Sequence, residues 1–241
     1  VTAPVFNHQF VVVGNIEDVG GSFGWPLLPD APQLGTTTGI EVNDRRALNA
    51  VWRNNQLYVV AEIIPNSGVD LNQTTAHWWK LNTSVLSAIS SADQGNVGGE
   101  DIATGTYTFF PSVAVDSLGN MAVGFSASAP TKFPGAYYTG RLAADTPGTV
   151  QPSVVLRAGL DFYVRTFGGP RNRWGDYSGA SVDPANDTTF CVFNEYALLR
   201  GTIINLEDGR WGTAHGCFSM VPPPAGATVT VPTLTSITVG T

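Results

Sequence analysis

PSVAVDSLGNMAVGFSAS, residues 111–128, runs from a strand of small and apolar residues through an Asp and a reversal carrying Gly and Asn into a second alternating strand. Strand, Asp, turn, strand is a β-hairpin pattern. The same plan returns in SGASVDPANDTTFCVFNEYA (178–197), where Asp183 stands 67 residues after Asp116. RALNAVWRNNQLYVVAEI (46–63) fits the template a third time, with Trp52, 64 residues before Asp116, in the position of the aspartates. SLGN, PAND and RNNQ supply the Gly, Asn, Pro and Asp that chain reversals require. Recurrence at a nearly fixed spacing is the mark of a repeat architecture.

Each hairpin is followed by more strand-like sequence: AHWWKLNTSV after the first, AYYTGRLA and QPSVVLRAG after the second, GRWGTAHGCFSM after the third. A unit of about four antiparallel strands is a propeller blade. A β-sandwich made of the same hairpins would need no fixed period. The expected fold is therefore all-β, with units near 1–45, 46–110, 111–177 and 178–221. A closed ring needs about four blades, and the period leaves fewer. The expectation is an incomplete, C-terminal part of a larger propeller, finished by a missing N-terminal portion or by an identical subunit. A compact ring of shorter blades is opposed by the spacing. Residues 222–241 read as a Pro-rich linker, PPPAG, and a lone strand, TVTVPTLTSITV. That strand would open a lost Ig-like module, pair in trans, or fray.

Composition agrees with short strands and tight turns: 43% hydrophobic and 13% charged residues, with 27 Gly and 16 Pro. Helices should be nearly absent. A net charge of −7 argues against a nucleic-acid partner, which needs a basic face. No run of eighteen apolar residues is present, so no membrane span is expected. VTAPVFNHQF has neither the basic start nor the apolar stretch of a signal peptide. Scarce lysine, abundant Thr, Ser, Asn and Gly, and sequons at Asn72, Asn82 and Asn186 fit a secreted or extracellular-surface protein.

Cys191 and Cys217 fall on consecutive strands of the last unit, where facing cysteines can meet disulfide geometry. The alternative is a pair of buried thiols. No cofactor is expected: DSLGN, NVGGED with Glu100 and Asp101, and NLEDG with Glu207 and Asp208 carry oxygen ligands as a calcium loop would, but without EF-hand or RTX spacing, so solvated turns are the default reading and calcium the alternative. His8, His77 and His215 form no zinc motif.

FPSVAVDSLGNMAVGFSASAP, AYYTGR, RTFGGPRNRWGDYSGASVDP and FNEYA together resemble the secreted bacterial sialidase-like β-propellers of the BNR, or Asp-box, type. The resemblance covers about residues 46–220 and is most specific around RNRWGDYSG. SVDPANDTTF (181–190) is a degenerate Asp-box, with Ser181 and Asp183 in place and a longer turn. AVDSLGN keeps Asp116 and Gly119 without the Ser and the closing Trp. The resemblance implies a propeller, and for an active sialidase a carboxylate-binding trio of arginines, a Tyr nucleophile activated by a Glu, and an Asp acid or base.

The last unit carries the residue types for that chemistry. Arg173, Asp176 and Glu195 are the catalytic candidates, and Arg165, Arg171, Trp174, Tyr177 and Tyr196 the ligand-binding ones. Adjacent strand residues point to opposite faces, so Glu195 and Tyr196 serve one pocket only across a bulge. The competing reading makes the cluster a seam, in which arginines pair with Asp176 or Glu195 and Trp174 and Tyr177 pack one repeat against the next. Trp78, Trp79, Tyr137, Tyr138 and Trp211 allow a third reading, aromatic faces that bind sugars, against packing between blades. Read from sequence, the chain is a binding, adhesion or extracellular assembly module with a glycan as candidate ligand; the alternative is a sialidase-like glycoside hydrolase.

Overall fold

The computed structural model describes residues 3, 8–13, 28–205 and 207–220. Among them are three antiparallel sheets and no helix. The first sheet takes β1 (Asn49–Arg53), β2 (Gln56–Ile63), β3 (Thr75–Asn82) and β4 (Ser90–Val97) in sequential order. The second does the same with β5 (Tyr107–Val115), β6 (Met121–Ala129), β7 (Lys132–Arg141) and β8 (Val154–Arg157). The third pairs β9 (Gly179–Val182) with β10 (Thr189–Ala197), and β10 with β11 (Trp211–Ser219). None of the sheets closes on itself. The segment 222–241, read as linker and lone strand, lies outside the described residues.

The matched turn positions do related work. In the second sheet Asp116 Oδ1 accepts the Leu118 and Asn120 N–H groups, and Oδ2 accepts Asn120 Nδ2 at 2.8 Å. In the third, Asp183 Oδ1 accepts the Ala185 N–H at 2.8 Å. Both aspartates close longer turns by satisfying backbone donors from within. The first hairpin turns on Asn54 and Asn55 alone, both at positive φ (50° and 58°), as a two-residue turn requires. Trp52 is thus released from turn closure, and its indole N–H donates to Thr83 Oγ1 at 2.9 Å.

The sheets pack face to face through the second, whose β5 and β6 are buried almost throughout. Alternation divides its two faces by size. Val113, Val115, Val123, Phe125 and Tyr137 meet Tyr58, Val60, Trp78 and Val97 of the first sheet. Ala114, Ala122 and Ala136 face Phe190, Val192 and Tyr196 of the third. A β-carbon on Gly124 would lie 3.2 Å from Val192, so the small residues let the third sheet approach closely. Burying side chains such as Trp78 and Phe125 contributes about 1.5–3 kcal/mol each.

Of the register shifts that interrupt this regularity, the one in β5 reaches furthest. The β5–β6 register shifts between Phe109 and Ser112, and Phe110 sits at φ 49°. Its N–H donates to Glu62 and its carbonyl accepts Ser178 Oγ at 2.5 Å. One bulged peptide thereby touches all three sheets or their approaches. At the same end, Leu28, Ala31, Ile40 and Val42 join Phe109, Phe110, Tyr163 and Trp174 in a second core.

Candidate functional site

The arm 28–43 folds back on itself through an Ala31–Ile40 bridge and lies along residues 163–176, with a parallel bridge between Glu41 and Arg173. Two side-chain amides fasten it. Gln33 accepts the Tyr163 N–H at 2.8 Å and donates to the Tyr163 and Thr38 carbonyls. Asn172 accepts the Arg165 N–H at 2.8 Å and donates to the Gly39 and Tyr163 carbonyls at 2.9 Å. Both are buried. Each satisfies its oxygen and both N–H bonds, so a polar seam is held inside an apolar core without orphaned amide groups.

The charged residues of RNRWGDYSG line the outer margin of this seam. Arg171 pairs with Glu41 and donates to Asn43 Oδ1 at 3.2 Å. Arg173 reaches both oxygens of Asp176 at 2.8 and 2.6 Å, and Asn43 Nδ2 donates to Asp176 at 2.9 Å. Burial alone would raise the Asp176 carboxyl, but Asn43 and Arg173 outweigh it and hold the group below its ordinary range. Arg165 lies 5.8 Å over the Phe167 ring. Each arginine thus has its own partner.

Glu195 accepts the Gly175 N–H at 3.0 Å. Burial pushes its carboxyl upward, the Gly175 donor opposes this, and Asp176 adds to it. Tyr196 lies on the other face of β10, buried against the second sheet with Arg157 5.5 Å over its ring. The opposite orientation follows from strand pleating. Tyr177 is 63% exposed. The phenol that Glu195 does influence is Tyr163, pushed up to about 12 first by burial and then by the Glu195 charge. That favours the protonated phenol, the reverse of what a nucleophile needs. Trp174 is buried, donates to Ser126 Oγ at 3.2 Å and meets Tyr163 edge to face at 5.0 Å. Ser126 in turn donates to Asn194 at 3.0 Å, linking loop, second sheet and third sheet.

The adjacent aromatic pairs split across their strands. Trp78 and Tyr137 face the first–second interface, Trp79 joins Ala61 and Ile63 on the other side of the first sheet, and Tyr138 packs against Phe218 of the third. Trp211 is 43% exposed. Cys191 and Cys217 occupy paired positions of β10 and β11 and are joined by a disulfide. Carboxylates of the turns considered for calcium bind backbone donors: Glu100 takes the Gly105 N–H, Asp101 that of Ser153, and Glu207 those of Thr166 and Phe167. Among the described residues no group of three or more His, Cys, Asp or Glu gathers, and no helix is long and apolar enough to cross a membrane.

No protein-family model, curated protein or solved structure matches the chain. Glu41, Asn43 and Tyr163 were not legible as partners of the cluster, nor was the clamping role of Asn172 within it. The only sequence signal of Glu41 and Asn43 is the alternation of GIEVND (39–44), which marks a strand-like stretch without naming what it meets.

Proposed function

We propose that the chain is a secreted or cell-surface module of the sialidase-like β-propeller type, acting in binding, adhesion or extracellular assembly, with a glycan as ligand. The observation that carries this reading is the commitment of the charged cluster to the seam. Arg171, Arg173, Asp176 and Glu195 hold Glu41, Asn43 and Gly175, which is what fastening demands and what a vacant catalytic cleft would leave undone. Three sequential antiparallel sheets stacked face to face are compatible with consecutive blades. On this reading an identical subunit or an N-terminal propeller portion completes the ring. Phe193 and Trp211, part-exposed on the outer face of the third sheet, would be covered by it.

One observation favours the alternative, a sialidase-like glycoside hydrolase. Neighbouring carboxyls are pushed apart, Asp176 downward and Glu195 upward, as an acid and base pair requires. Wild-type protein and Glu195→Gln are compared on aryl glycosides and on immobilised glycans. The binding reading expects glycan retention by both and turnover by neither; turnover abolished by Glu195→Gln would replace it with the hydrolase. Light scattering tests the partner: a monodisperse monomer that retains glycans would remove the assembly role.

A further inference from the structure

Away from the seam, a cleft of about 340 Å³ opens where β7 and β8 meet the loop 99–106 and the tip of the 28–43 arm. Its walls are fixed by backbone. The Leu34 N–H donates to the Lys132 carbonyl at 3.2 Å, and the Ile102 and Ala103 N–H groups turn back onto Gly99 at 2.9 and 3.1 Å. Gly159 lies so near β7 that a β-carbon on it would stand 2.3 Å from the Pro134 carbonyl oxygen. The volume falls within the range of small-molecule sites.

The lining combines charge, hydroxyl and ring. Lys132 and Asp101 both line the cleft, yet no ion pair joins them and Lys132 makes none with any described residue. Asp101 is held by the Ser153 N–H through Oδ2 at 2.5 Å, which leaves Oδ1 as an acceptor. Thr131, Ser153 and the buried Tyr137 contribute hydroxyl-bearing side chains, and Phe133 an aromatic one. An apolar molecule with two charged ends would place those hydroxyls against hydrocarbon, an unfavourable desolvation. A sugar ring offers hydroxyl edges to the donors and acceptors and a C–H face to Phe133. The unpaired ammonium adds a requirement for negative charge on the ligand.

We propose that this cleft is a binding site for an acidic saccharide, with the ligand carboxylate on Lys132, a ring hydroxyl on Asp101 and the C–H face on Phe133. The proposal rests on the glycan-binding reading and gives it a site and a ligand class. Titration calorimetry on the full chain uses glucuronate, methyl β-glucoside and phenylalanine as probes. Saturable binding of glucuronate in preference to the other two is expected. Lys132→Met should weaken glucuronate about tenfold, the size of one lost charge-assisted contact, and bring it to the level of the glucoside. Phe133→Ala should weaken both sugars. Absence of glucuronate binding, indifference to Lys132→Met, or preference for phenylalanine would overturn the site. Retention on immobilised glycans by the Lys132→Met, Phe133→Ala double variant would move glycan binding elsewhere while leaving the broader function standing.

Discussion

Gly175 stands so close to Glu195 that a β-carbon on it would lie 2.4 Å from Oε1, while its own N–H donates to Oε2 at 3.0 Å. The loop and β10 are therefore joined at a close contact through the Glu195 carboxylate. Glu195→Ala leaves the Gly175 donor without its acceptor and should cost about 1–3 kcal/mol in urea unfolding. Gly175→Ala meets only the movable end of the Glu195 side chain and should cost less than Glu195→Ala, and Glu195→Gln, which keeps an acceptor, should also cost less. Equal losses for Gln and Ala would show that the contact is not what holds the loop.

Glu62 should make a contribution to stability that falls with rising pH through the carboxylate range, opposite in sign to that of the lowered carboxylates such as Asp44 and Asp176. Its side chain is fully buried, and burial raises its carboxyl well above 4.5; the Phe110 N–H opposes the shift and the Asp44 charge reinforces it. Unfolding lets the group ionise near its ordinary value. The stabilisation is thus complete below that value and is lost progressively as pH climbs toward the folded one. Glu195 is shifted the same way. Thermal melts of Glu62→Gln should show a gain over wild type that widens from pH 4 to pH 8. A constant difference across that range would refute the assignment.

Ion pairs should differ sharply by burial. Arg141 meets Asp93 at 2.6 Å with both side chains close to buried, and it lies 5.5 Å over the Trp78 ring, so it ties β7 to the first sheet. Arg141→Ala strands the Asp93 carboxylate in part and should cost about 3 kcal/mol. Arg46, paired with Asp44 at the surface, should be replaceable by Ala with no measurable change in unfolding midpoint.

Reducing the Cys191–Cys217 bond should lower stability by about 3 kcal/mol, because it frees a loop of 26 residues in the unfolded chain. Calorimetry with and without reductant measures this directly. The sheet should survive reduction, since β10 and β11 pair over their full lengths.

The hairpins were legible because alternation and turn chemistry are local: Asp116, Asp183 and the Asn54–Asn55 pair announce reversals within a few residues. β4 was not. SSADQGNV has no apolar alternation: it is an edge strand of its sheet, exposed over Ser90–Ala92 and buried only at Gly95 and Val97, so pairing with β3 sets most of its conformation. The disulfide could be posed but not decided, because facing positions on paired strands permit a bond without requiring it. The seam was legible only as a cluster of types. Arg171 meets Glu41 across 130 positions, and Gln33 meets Tyr163 across the same distance. Contacts made by single polar side chains over such separations leave no periodic trace.

The amide clamps on the 28–43 arm also impose an order on biosynthesis. Gln33 leaves the ribosome 130 residues ahead of Tyr163, a wait of about 6–26 s at ordinary rates of translation. Through that interval Ala31, Ile40 and Val42 can meet Ile64, Phe109 and Phe110 but not Tyr163 or Trp174, which complete their core. Full docking of this arm is consequently a late event of synthesis, since its amide clamps close only once Tyr163 and Asn172 have emerged.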